Sequence, residues 1–441
     1  MSEYAEIRTG NLTLCWFKNY LKSDLVGLFF SERDLIVTEN YYLDDKDEDC
    51  EPITRYEYKT NVKRARERLD AMGYSLKHLE RLFEKNKYEA INYSPFLFKL
   101  NVDYDSDDEK LKARIDKKVS FKKWTNSINK IIDYEQKNGK IDTFHNRKPE
   151  IITTECDKLI FYDLISDDGA YLYALKTDVI HEGYIYRLIL EYCDENDEIE
   201  LDFTNLGNWD SDCIPKGIEA AKQIEKTIVL VEGTSDKAIL EFCLRKIYPH
   251  LFDLFYFMDF DDGHGHRRSN SGVSEISKCM ETFYYSRIKQ KFIALFDNDA
   301  AGYGSSLELK NRVKAWPDNF RIMCYPQIDE FKKYPTLAPN GKILEDDINH
   351  KACSIELYLP DYVISDGDDY LPIEWEARKQ IKQDNGSSKY FYQGVISEKD
   401  SVKSRFVELK NAIEAGKTEF KLEEWKRMQC LLENIVNAFA N

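Results

Sequence analysis

Apolar and polar positions follow several different rhythms along the chain. In the first 60 residues short alternating runs, such as "ITRYEYKT" (53–60), have the period of two that predicts strands. The stretch "NVKRARERLDAMGYSLKHLERLFEKN" then predicts two charged helices broken at Gly73. Between about 156 and 206, "KLIFYDLIS", "AYLYALKT", "YIYRLILEYC" and "EIELDF" are aromatic and β-branched runs separated by turn residues. They predict an antiparallel meander.

From Lys226 the rhythm changes to strand, helix, strand, helix. "TIVLVEG" is a continuous apolar run, as expected of a buried parallel strand, and Asp236 to Tyr248 carries Leu240, Cys243, Leu244 and Ile247 on one helical stripe. Further strands are expected in "FDLFYFMDF" (252–260), "KFIALFDNDAAG" (291–302) and "FRIMCYPQ" (320–327). The expected organisation is a mixed α+β domain over 1–225 and an α/β domain with a mostly parallel sheet over 226–364. Residues 365–441 read as polar loop material and then an amphipathic helix, a helical extension packing back on the α/β domain.

Composition narrows the partners. The 441 residues carry a net charge of −17, whereas a protein that wraps nucleic acid over a broad surface is usually basic. Nucleic acid would have to be met locally, through metal ions, or through a partner. The acidic runs at 43–51, 103–110, 194–202 and 365–370 read as solvated loops and turns, and none has the spacing of an EF-hand. No apolar run approaches the ~20 residues of a membrane span, and the N-terminus does not read as a signal peptide. Ten scattered cysteines without a CxxC read as reduced thiols, so a cytoplasmic protein is expected.

The candidate chemistry lies at the strand ends, where open parallel sheets place ligands. Glu232 ends the first strand, with Asp236 one turn later. Asp297 and Asp299 follow the third strand, and Glu356 lies in the apolar run "CSIELYLP". Carboxylates converging from separate strands suit Mg²⁺, with Mn²⁺ as a substitute, and metal-assisted cleavage of phosphodiesters. Gly233 and Gly302 would allow close approach of backbone or phosphate. The bland alternative is helix capping and turn formation, at which Asp excels. Lys399 and Lys403 are either a solvated helix face or the cations that stabilise charge on a transferred phosphate. In "DFDDGHGHRRSNSG" (259–272), His264, His266, Arg267 and Arg268 suit either a polar loop or a phosphate contact.

"VEGTSD" and "LFDNDAAG", about 60 residues apart, resemble the Toprim domain of topoisomerases, bacterial primases and nucleases of the overcoming-lysogenization-defect (OLD) class. "SIELYLP" resembles the later acidic element of the OLD-type branch. The resemblance covers about 226–364 and implies a Rossmann-like fold. It implies Glu232 as metal ligand or general acid–base, Asp297 and Asp299 as metal ligands, and Asp236 and Glu356 at a second metal. Ala301 stands where many Toprim domains have a third aspartate, which favours the nuclease branch. No GxxxxGK[ST] frame is present, so the ATPase accompanying most OLD-type nucleases would act in trans or be dispensable. "SEYAEIRTGNLTLCWFKN" and "YEYKTNVKRARERLDAMGYS" resemble the N-terminal module of HEPN/Toprim-associated proteins of bacterial anti-phage systems. The expectation is a Mg²⁺-dependent defence nuclease acting on DNA or RNA such as tRNA, with a protein partner or a second copy of the chain. The rival is a non-catalytic scaffold or sensor subunit.

Overall fold

A computed structural model describes residues 3–42, 52–92, 113, 116–139, 141, 150–154, 156–158, 180–260, 272–382 and 388–440. The acidic runs at 43–51 and 103–110 and the residues His264, His266, Arg267 and Arg268 lie outside this set. The chain divides into two compact units, residues 225–439 and the remainder.

The first unit is built on an antiparallel sheet. Strands β1 (Tyr4–Thr9), β2 (Leu12–Lys18), β3 (Leu35–Tyr41), β4 (Ile53–Asn61) and β5 (Glu198–Asp202) lie in the order β2-β1-β5-β4-β3. One face is apolar by strict alternation: Ala5, Ile7 and Thr9 are buried while Tyr4, Glu6 and Arg8 face out. Helices α1 (Ser23–Phe29), α2 (Val62–Ala71), α3 (Leu76–Asn92), α4 (Phe121–Asn138), α5 (Glu182–Glu191) and α6 (Cys213–Ala220) belong to this unit, and its core gathers Phe29, Tyr58, Phe83, Trp124 and Tyr186. The buried Tyr58 hydroxyl donates to the Gly217 carbonyl at 2.9 Å, tying α6 to the sheet.

The expected meander between 156 and 206 needs correction. "YIYRLILEYC" is not a strand: Glu182–Glu191 is helical and buries Ile185, Tyr186, Leu188, Ile189 and Leu190. Ile185 with Ile189 and Tyr186 with Leu190 are helical neighbours, a periodicity that outweighs the strand preference of aromatic and β-branched residues. "EIELD" is a strand as expected, although it pairs with β1 and β4 rather than with a local neighbour. Residues 159–179 lie outside the described set.

The second unit carries a parallel sheet. Strands β6 (Thr227–Leu230), β7 (Phe255–Met258), β8 (Phe292–Phe296) and β10 (Phe320–Cys324) lie in the order β10-β8-β6-β7, every pair parallel. All five residues of β8 are buried, the mark of a strand covered on both faces. Helices α7 (Thr234–Ile247), α8 (Val273–Tyr285) and α9 (Ala300–Arg312) alternate with these strands. A short ladder joins β9 (Asn298–Asp299) to β13 (Ala352–Cys353). A third sheet comprises β11 (Tyr334–Leu337), β12 (Ile343–Asp346), β16 (Ile373–Lys382) and β17 (Ser388–Ile396), and β14 (Ser365–Asp366) pairs with β15 (Asp369–Tyr370). The stretch expected to be polar loop therefore contains a long hairpin. After it come α10 (Lys399–Glu414) and α11 (Lys426–Val436), which pack on α7 through Phe242, Phe406, Phe420 and Trp425.

Candidate active site

Strand order fixes where ligands can sit. β6 is followed by β7 on one side and β8 on the other, so the order in which strands are laid down reverses between β6 and β8. The carboxyl ends of the strands at such a point open a crevice. Glu232 stands two residues past β6 and Asp297 directly past β8. The two meet there: the Asp297 backbone N–H donates to Glu232 Oε1 at 3.1 Å.

Asp297 is buried, and its Oδ1 has no hydrogen-bond partner. Burial, then repulsion from Glu232, Asp236, Asp299 and Glu356, holds its carboxyl well above the usual range. Gly302 is what lets α9 start so close to it. A Cβ at position 302 would lie 2.4 Å from the Asp297 carbonyl oxygen. Gly233 has no comparable constraint, since its added Cβ would come no nearer than 3.5 Å to Asp236. Close approach of backbone is therefore what Gly302 allows, while at Gly233 no protein backbone comes close.

Asp236 occupies the first turn of α7, behind a Gly233 cap, and is buried. Burial and then Glu356 push its carboxyl up to about 6. Glu232 rises to about 8 through burial, Asp299 and Asp236. Both groups hold protons when folded that the unfolded chain releases, so the fold loses stability as pH rises through these values. Without divalent cation, the melting temperature of the second unit should fall between pH ~4.5 and ~8, and Asp297→Asn should flatten the fall. Thermal unfolding followed against pH checks this; a wild-type curve that is flat or rising in that window contradicts it.

Asp299 and Glu356 are engaged differently. Asp299 Oδ1 caps α9 by accepting the Gly302 N–H at 2.7 Å, so the capping reading is correct for this oxygen. Its Oδ2 accepts the Gln393 side-chain N–H at 2.6 Å. Glu356 is 1% exposed and lies on a 3₁₀ turn, accepting from Ser354 Oγ at 2.6 Å. Lys399 and Lys403, one turn apart on α10, put their Nζ atoms 3.4 and 3.6 Å from it. Burial acts to lower the Lys399 pKa, but Glu356, Asp297 and Asp236 outweigh it and raise the value. The reading of these lysines as a merely solvated helix face is thereby replaced by two part-exposed cations paired with a buried carboxylate.

The structure thus gathers Glu232, Asp236, Asp297, Asp299, Glu356, Lys399 and Lys403 at one place, while His264, His266, Arg267 and Arg268 lie outside the described residues. Gln393 joins the cluster without any signal in the sequence, since it belongs to no motif, and Ser354 joins as a donor to Glu356 from within "SIELYLP", where only the acid is a candidate from sequence. Among the described residues, no group of three or more His, Cys, Asp or Glu is arranged to hold a metal ion. The reason is visible in the partners: Asp299 and Glu356 are turned toward protein donors. The remaining acids, Glu232, Asp236 and Asp297, offer only oxygens, repel one another and include an unpartnered buried atom. That donor chemistry fits a hard divalent cation, which relieves the repulsion.

Residues 1–220 match the model of the family described as HEPN/Toprim N-terminal domain 1. This match supports placement among the HEPN/Toprim-associated proteins. No curated protein and no solved structure gives a significant match. Among the described residues no helix is long and apolar enough to cross a membrane, and every described cysteine is free.

Proposed function

We propose that the chain is a Mg²⁺-dependent phosphodiester hydrolase, with Mn²⁺ as a substitute metal, whose OLD-type Toprim unit cuts DNA or RNA. The observation that carries this reading is the meeting of Glu232 and Asp297 at the strand-order reversal, with Asp297 Oδ1 buried and unpartnered. Glu232, Asp297 and Asp236 are the residues that would hold the cation. When bound, it supplies charge stabilisation to the phosphate oxygens. Glu232 Oε2, the oxygen that does not accept from the Asp297 N–H, would take the proton of the attacking water once the cation's charge holds the carboxyl ionised. Lys399 and Lys403 set positive charge beside the acids, where it would offset the negative charge of the phosphate.

The family match to the first unit supports a role in anti-phage defence, with that unit sensing a trigger, an ATPase in trans or a second copy of the chain. A cytoplasmic location accords with this role. The second reading, a scaffold or sensor without catalysis, is favoured by one fact. Asp299 and Glu356 spend their oxygens on protein partners.

Purified chain incubated with plasmid, single-stranded DNA and total tRNA, each with Mg²⁺ or Mn²⁺, separates the two. The hydrolase reading expects one class to be cut by wild type and spared by Glu232→Ala. If every substrate stays intact, with partners supplied as well, the scaffold reading stands instead.

A further inference from the structure

Gln393 stands outside every motif, yet its side chain closes the most constrained part of the site. Its Nε2 donates to Asp299 Oδ2 at 2.6 Å, and its Oε1 accepts the Ala301 backbone N–H at 3.0 Å. The amide orientation is unambiguous. A backbone N–H can only donate and a carboxylate can only accept, so just one flip satisfies both neighbours.

The backbone beneath it is equally fixed. At the next residue, a Cβ added to Gly394 would lie 2.5 Å from Ile373 Cγ2 and 2.8 Å from Ala352 Cβ. Ala352 is itself the ladder partner of Asp299. Strand β17 therefore presses on β13, and β13 holds the Asp297–Asp299 turn. Gln393 adds a side-chain tie between the same two elements. With Oδ1 capping α9 and Oδ2 bound to Gln393, the Asp299 carboxylate cannot rotate.

We propose that Gln393 is a positioning residue of the cation site. It locks Asp299 as a fixed negative charge at the mouth of the crevice while Glu232 and Asp297 make the direct contacts. The proposal rests on the cation-binding reading above. Partners that orient a site's carboxylates typically change metal affinity 10–100-fold when removed. Losing Gln393 unpins the turn and strands the Ala301 N–H, while Asp299 stays tethered to α9 and cannot swing in as a replacement ligand.

The test is calorimetric titration of Mn²⁺ into the full chain, beside Gln393→Ala and the similarly shaped Gln393→Met, with metal-free melting recorded for all three. The expected result is Mn²⁺ binding about tenfold weaker in both variants. Their metal-free melting should fall only modestly, because Ala301 and Gln393 are half-buried and water can take the freed N–H. A purely structural glutamine would lower the melting temperature and leave the affinity of the folded protein unchanged, and that result overturns the proposal. Wild-type or tighter affinity in either folded variant overturns it too, and leaves the cation reading standing. Wild type that takes up no Mn²⁺ removes the cation reading and this inference together.

Discussion

Gly302→Ala should be among the most damaging single substitutions in the second unit, lowering its stability by about 3 kcal/mol, the upper end for overpacking. The added methyl would lie 2.4 Å from the Asp297 carbonyl oxygen and 3.0 Å from its nitrogen. These are backbone atoms at the end of a fully buried strand, so they cannot swing aside as a side chain would. For a unit of this size the loss corresponds to a melting-temperature drop of roughly 6–12 °C. The displaced residue is also the one whose N–H orients Glu232, so cation affinity should fall with stability. Gly233→Ala is the contrast. Its Cβ meets nothing closer than 3.5 Å, and replacing a capping glycine with alanine should cost only about 1 kcal/mol. Thermal melts of the two variants check the pair; equal losses would show that the tight approach at 302 is not what shapes the turn.

The double variant Lys399→Ala, Lys403→Ala should be the second large effect. It leaves Glu356, 1% exposed, with Ser354 as its remaining side-chain donor. Stranding a buried charge costs ~3–5 kcal/mol. Both lysine side chains are about one-third exposed, so water screens part of the interaction, and a loss of about 2–3 kcal/mol is expected. Adding Glu356→Gln should recover most of it, because the neutral amide no longer needs a counter-charge. Denaturant unfolding of the wild type, the double and the triple variant measures this. A triple variant no better than the double would mean that the lysines stabilise α10 by some other route.

The parts of the site that lie on local patterns are legible in the sequence. An apolar run ending in an acid, twice, is enough to locate Glu232 and Asp297, because a buried parallel strand leaves the chain little freedom where it exits the sheet. Lys399 and Lys403 are four apart and so share a helix face, although nothing in the sequence pairs them with Glu356. The illegible parts depend on distant segments. β5 slots between β1 and β4 from well over a hundred residues away along the chain, and no window of sequence contains that pairing. The β16–β17 hairpin reads as loop because β16 is heavily charged and the polar stretch between the strands masks the aromatic run of β17. Gln393 is invisible for a related reason, since its meaning comes wholly from Asp299 and Ala301 across the fold. At Glu182–Glu191 the helical period is present and the residue types argue against it; burial obeys the period.

The central claim is that the acids at the strand-order reversal hold a divalent cation with which the chain cuts nucleic acid. Its most direct test is cleavage by chelator-stripped protein as Mg²⁺ or Mn²⁺ is added back, for wild type, Glu232→Ala and Asp297→Ala under conditions where all three are folded. The account predicts no cleavage by stripped wild type, recovery that saturates with added cation, and at least a hundredfold loss (roughly 2.7 kcal/mol or more of barrier) in each variant. Cleavage that survives stripping, or that returns equally in the two variants, would contradict it.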